Sequence, residues 1–263
     1  MSRPARSVGM AVAATALLAI AFGSSATAAR EDDEDEDLRT YEVTITNLTS
    51  GQPLTPPVVA THRGRNQVFE VGQPATVGVR EIAENGNNAP LLAFLTADPF
   101  DRISESKQAG MEPLVPEGTP GGVQAPPSGP EFPDHVTFQI TADDDANRLS
   151  FVTMLICTND GFTGANGLRL PSRVGRTITA GTAGYDAFTE LNEEDFAEIV
   201  PPCQGLIGVS SGEPGEGVSN PALAEGGVIS HHQGILGGSD LLPQVHGWDI
   251  DDPVAEITVT RLS

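Results

Sequence analysis

The chain has almost no lysine. Lys107 stands alone beside thirteen arginines, and lysine and arginine together number 14 against 36 acidic residues over 263 positions. The formal charge of −22 excludes the basic face that nucleic-acid binding needs. Such acidity favours solubility and can gather divalent cations, but it carries no information about fold. Beyond the first thirty residues no long apolar run exists, because Gly, Pro or a charge interrupts each one. A bilayer-spanning helix needs about 20 apolar residues, so the mature chain is expected to have no membrane-spanning segment. Catalytic signatures are equally scarce. Gly208-Val209-Ser210-Ser211-Gly212 fits the letters of Gly-x-Ser-x-Gly but has no strand-to-helix setting, so it is not read as a nucleophile elbow. The glycine pairs at Gly226 and Gly237 have no strand-to-helix setting for phosphate or dinucleotide, and neither His-Glu-x-x-His nor an EF-hand loop occurs.

What is present begins with a leader over residues 1–29. Arg3 and Arg6 precede an apolar stretch from Val8 to Phe22, and Ala26-Thr27-Ala28 supplies a small-residue cleavage site. An extracellular or periplasmic protein is expected, without a lipid anchor because no cysteine follows the cleavage site. Residues 30–39 hold the block Glu31-Asp32-Asp33-Glu34-Asp35-Glu36-Asp37, which cannot pack and reads as an acidic, disordered spacer. The two cysteines, Cys157 and Cys203, follow an export signal, and an even count in an oxidising compartment favours a disulfide over two buried thiols.

Residues 40–263 read as one mostly β domain. Tyr41, Val43 and Ile45 alternate with polar neighbours as a half-buried strand requires, and residues 254–260 do the same at the other end. Pro56-Pro57-Val58-Val59-Ala60-Thr61-His62 is extended, since paired prolines forbid a helix and the β-branched pair favours a strand. One short helix is predicted from Pro74 to the Asn85-Gly86 stop. Residues 104–133, with seven prolines and five glycines, predict a long irregular loop. Val136-Thr137-Phe138-Gln139-Ile140 alternates, whereas residues 149–156 are apolar enough for burial on both faces. The polar turn Asp143-Asp144-Asp145-Ala146-Asn147 between them suggests a hairpin. Strands at both ends with turn-rich connections imply an antiparallel β-sandwich. Asn47-Leu48-Thr49 matches a glycosylation sequon.

Four of these stretches carry a family resemblance. Pro56-Pro57-Val58-Val59-Ala60-Thr61-His62, Thr158-Asn159-Asp160-Gly161-Phe162, Tyr185-Asp186-Ala187-Phe188-Thr189-Glu190 and the closing residues 253–262 together resemble the spondin N-terminal domain family, in its microbial form. The resemblance implies a C2-like sandwich with a calcium ion held by loops at one edge, and a role in adhesion or matrix recognition of an extracellular or cell-surface ligand. Matched position by position, the implied ligands are Asp160, Asp186 and Glu190. Phe188 stands where the family usually has glycine, and Glu190 where it usually has aspartate.

Calcium takes roughly six to eight oxygens at about 2.3–2.6 Å, so carboxylates converging from separate loops suit it. A bridge from Cys157 to Cys203 would brace the same edge. The expected role is non-enzymatic. The competing expectation is a secreted metal-dependent hydrolase or carbohydrate-active enzyme built on His231, His232 and His246, with zinc or general-base chemistry. His231 and His232, being adjacent, would face opposite sides of an extended chain. His62 reads as satisfied at a strand end, residues 143–145 as a solvated turn, and Trp248 as a packing anchor.

Overall fold

A computed structural model describes residues 38–64, 68–98, 102–122 and 131–263. The leader, residues 30–37 of the spacer and residues 123–130 of the long loop lie outside these. Two antiparallel sheets form the frame. β1 (Arg39–Asn47) lies between β4 (His135–Ala142) and β10 (Ala255–Arg261), and β7 (Thr177–Thr182) completes this four-stranded sheet. The second sheet runs β3 (Ile103–Gln108), β2 (Val58–His62), β5 (Arg148–Met154), β6 (Gly161–Arg169), β8 (Gly184–Asp186) and β9 (Ser230–His231).

The period-2 patterns explain the layering. Tyr41, Val43 and Ile45 of β1 join Ile257 and Val259 of β10, Val59 of β2 and Leu149 and Phe151 of β5 in a buried cluster between the sheets. On the outer face of the four-stranded sheet, hydroxyl pairs Thr44–Thr137 (2.8 Å), Thr177–Thr260 (2.8 Å) and Thr179–Thr258 (3.1 Å) fix the register across strands. β5 is buried on both faces because a second cluster covers its other side. Val152 and Met154 pack there with Val58 and Ala60 of β2, and with Val79, Ile82, Leu91 and Leu95 from two helices.

α1 (Val77–Asn85) fits the predicted helix. The Thr76 hydroxyl accepts from Val79 N at 3.3 Å, and Gly86 ends it with φ +63°. Three helices were not anticipated: α2 (Ala89–Thr96), α3 (Pro202–Ile207) and the single turn α4 (Pro243–His246). Each has proline in its first turn, where the missing N–H costs nothing, and each is too short for a periodic signal.

Other expectations are corrected as well. Arg39, assigned to the spacer, opens β1. The loop over residues 104–133 contains most of β3, a polar edge strand paired only with β2 and carrying Lys107. β4 and β5 are not a hairpin: β4 pairs with β1, β5 with β2 and β6, so residues 143–147 cross from one sheet to the other. Asp143 holds this arch, its Oδ1 accepting from Ala146 N (2.7 Å) and Asp145 N (3.1 Å), while Arg63 reaches its Oδ2 at 3.3 Å. Asn47 is buried, with Nδ2 donating to Gln52 O (2.7 Å) and Leu114 O (2.9 Å), so in the folded chain its amide nitrogen is committed to the protein.

Candidate functional site

The rim where β6 and β8 begin and end brings two of the expected ligands together. Gly161 of β6 pairs with Asp186 of β8, which sets Asp160 beside Asp186. Upstream, Cys157 and Cys203 form a disulfide with Cα atoms 5.1 Å apart. The Thr158 hydroxyl donates to Leu155 O (2.7 Å) and accepts from Gly161 N (2.9 Å), closing the turn on which Asp160 sits. Glycine is required at 161 because a Cβ there would lie 2.5 Å from the Thr158 hydroxyl. The Gln52 side chain braces the same loop, exchanging hydrogen bonds of 3.0 Å with Cys157 N and O and donating to His246 O at 2.7 Å.

Asp160 is fully buried. Its Oδ2 accepts from Thr189 N (2.7 Å), Glu190 N (3.0 Å) and the Thr189 hydroxyl (3.2 Å), while Oδ1 is buried without a hydrogen-bond partner. Burial, and then the Asp186 charge, push its carboxyl up to about 7 against three opposing hydrogen bonds. Asp186 accepts from Phe188 N (2.7 Å) through Oδ1 and from Asn192 Nδ2 (2.7 Å) through Oδ2. Phe188 adopts the glycine-like conformation that its position demands, at φ +53°. The strain, about 1–2 kcal/mol for an L residue, is offset by the hydrogen bond to Asp186 and by Gly227 N donating to Phe188 O at 3.1 Å. The turn therefore forms with Phe188 at that position.

Glu190 goes elsewhere. Its amide serves Asp160, but its carboxylate accepts from Asn220 N (2.6 Å) and lines a separate 510 Å³ cavity with Arg80 and Glu84. Burial, with the charges of Glu84, Glu198 and Glu216, raises that carboxyl to about 7. Among the described residues, two groups of three bring metal-ligating atoms within 4.8 Å of one another: Cys157, Cys203 and His246, and Asp195, Glu213 and Asp240. The first has both sulfurs in the disulfide, and the second is an acidic group with Glu213 exposed. Asp160, Asp186 and Glu190 are not such a group.

Sequence reasoning missed Glu194 and Asn192, which share a 310 Å³ cavity with Asp186 and His232. Glu194 has φ +59°, and its carboxylate accepts from Leu236 N (2.5 Å), Gly237 N (2.7 Å) and Gly238 N (2.7 Å). Only the unusual density of carboxylates after Thr189 hinted at it. Glu194→Ala should release residues 236–238 and cost about 4–5 kcal/mol, three bonds to a charged group at the low end of about 1.5–3 kcal/mol each. Denaturant unfolding together with faster hydrogen exchange of those three amides would show it; unchanged protection would count against the anchor.

The histidines do not gather. His231 is exposed against Tyr185, while His232 is buried against Trp248 with ring centroids 5.1 Å apart. His246 is buried beside Phe196. Burial lowers the pKa of His232 and His246, against the opposing pull of nearby acids. His232 Nδ1 accepts from Gly234 N (3.0 Å) and His246 Nδ1 from Leu242 N (2.9 Å), so in each neutral ring the proton sits on Nε2. Both Nε2 atoms are buried without a partner. They offer N–H groups where a zinc ligand needs a lone pair. His62 is satisfied as expected, with Nε2 2.7 Å from the Ser150 hydroxyl. Trp248 is half-buried against both apolar clusters, the anchoring role expected of it. No helix among the described residues is long and apolar enough to cross a membrane. Comparison of the chain with known protein families and with curated proteins finds no match in either.

Proposed function

We propose that this is a secreted, calcium-stabilised interaction module of spondin-like type, acting at a cell surface or in a matrix, with Asp160 and Asp186 holding the ion at the sandwich rim. The observation that carries the reading is Asp160 Oδ1, a buried carboxylate oxygen with no partner, beside a second carboxylate whose charge repels it. A hard divalent cation supplies the missing partner and removes the repulsion. The donors at hand, the Asp160 and Asp186 carboxylates, are of the oxygen type calcium takes. Glu190 contributes its amide, holding Asp160, and its carboxylate belongs to the neighbouring cavity. The leader pattern and the disulfide support an oxidising, extracytoplasmic location.

Trp248, the only tryptophan, packs on His232 and serves as a reporter. Calcium should change its fluorescence saturably and raise the melting temperature, by about 2.7 kcal/mol of stabilisation at a hundredfold excess over Kd. Identical melts in calcium and in chelator would sink the reading. The hydrolase alternative has nothing comparable in its favour, because the two buried histidines it requires present protons.

A further inference from the structure

We propose that His232 sets the metal preference of this rim: its ring presents an N–H to the Asp160–Asp186 cluster, which leaves the ion oxygen ligands alone. The inference rests on reading the rim as a cation site. Three contacts hold the ring. Gly234 N donates to Nδ1 at 3.0 Å, His232 N donates to Gly184 O at 3.0 Å, and the ring lies against Trp248. Gly234 sits at φ +81°, which directs its N–H back at the ring and which a side chain would resist. Turning the ring over would set a carbon against that N–H and lose the bond.

The ring lines the 310 Å³ cavity that Asp186 and Glu194 also line. His232 is 6% exposed, its Nε2 is buried with no partner, and the charges acting on it are those of Asp186 and Glu194. A buried, unmade hydrogen bond costs about 1–3 kcal/mol. An ion-bound water or a carboxylate oxygen turned toward the ion gives that N–H an acceptor. The chemical consequence is selectivity. Two carboxylates with an imidazole lone pair are a ligand set that zinc and copper take readily. Two carboxylates with an imidazole N–H leave only oxygens, which suit calcium and discriminate against the borderline metals.

Ring-nitrogen NMR on the isotopically labelled full chain tests this. The expected result is Nδ1 bare and Nε2 protonated, both before and after calcium, with no coupling from an NMR-active cadmium isotope to either nitrogen. His232→Phe should weaken calcium binding about 10–100-fold, the usual cost of losing an outer-shell partner, and His232→Gln, which keeps a donor, should recover most of it. Zinc binding should stay weaker than calcium binding in all three proteins. A bare Nε2, a cadmium coupling, or tight zinc binding abolished by His232→Gln would overturn the role of His232 while leaving calcium binding standing. Absence of calcium binding with the proton still on Nε2 would overturn the cation reading, and the preference with it. The tautomer is read without any ion, so the two failures are distinguishable even where His232→Phe does not fold.

Discussion

Asp160→Asn should make the ion-free protein more stable and at the same time abolish its response to calcium. The asparagine is isosteric: its oxygen can take the three donors from Thr189 and Glu190, and its NH₂ replaces Oδ1, the Asp160 oxygen that has no partner, with a neutral donor that the Asp186 charge does not repel. The sign of the pH dependence follows from the raised carboxyl. Its folded value is about 7 against 3.8, so the folded state holds a proton that the unfolded chain releases. That contribution is fully present below about pH 4 and is lost as pH rises toward 7. The advantage of the asparagine should therefore be near zero at pH 4, grow through pH 5 and 6, and level off above 7 at up to about 4 kcal/mol. Buried His62, His232 and His246, with lowered values, act oppositely as pH falls, but they are common to both proteins and cancel in the difference. Denaturant unfolding of the two proteins across this range, in chelator and then in calcium, gives the comparison. A destabilised asparagine variant at pH 8 in chelator, or one that calcium still stabilises, would refute the account.

Removing the disulfide should cost the molecule on the order of 4 kcal/mol. Cys157 and Cys203 are 46 residues apart in sequence, and closing a loop of that size restricts the unfolded chain by about this amount. For a domain of this length each kcal/mol corresponds to about 2–4 °C, so a Cys157→Ser, Cys203→Ser double variant should melt about 10 °C lower. The loss should also reach the rim. Cys157 stands three residues before Asp160, and without the bridge the loop is held chiefly by Gln52 and the Thr158 turn. Calcium affinity should fall along with stability. A double variant melting within about 2 °C of the parent would show that the bridge adds little to what Gln52 and the buried cluster already fix.

Much of the frame was legible because burial on one face leaves a period of two. β1, β4 and β10 could be found from their alternation, β2 from its paired prolines and β-branched residues, and β5 from its uniform apolarity. The partner of β5 could not. A one-sided β4 followed by a two-sided β5 was itself the sign that the strands lie in different sheets, but a short polar turn looks the same whether it closes a hairpin or an arch. α2, α3 and α4 escaped notice because helices of one or two turns have no period to detect, and their stability comes from the cluster they cover. β3 escaped because an edge strand of Ile103, Ser104, Glu105, Ser106, Lys107 and Gln108 needs only backbone pairing to β2.

The candidate site divides in the same way. Asp160 and Asp186 were named through the family resemblance, matched position by position, and each sits at a strand end. Glu190 was named with them by the same resemblance, yet its carboxylate follows the chain toward Asn220 and Glu84, and only its amide turns back to Asp160. Glu194, Asn192 and His232 come from stretches with no motif; Asn192 reaches Asp186 across six residues of chain, and His232 comes to the same cavity because β9 pairs with β8.

The sequence by itself determined the charge, the two cysteines and the alternating strands, because these depend on residue identity and near neighbours alone. Tertiary structure decided which sheet each strand joined, which carboxylate oxygens were left without partners, and which histidine nitrogen kept its proton. Those outcomes depend on hydrogen bonds between segments tens of residues apart, and no local pattern encodes the direction in which a side chain finally points.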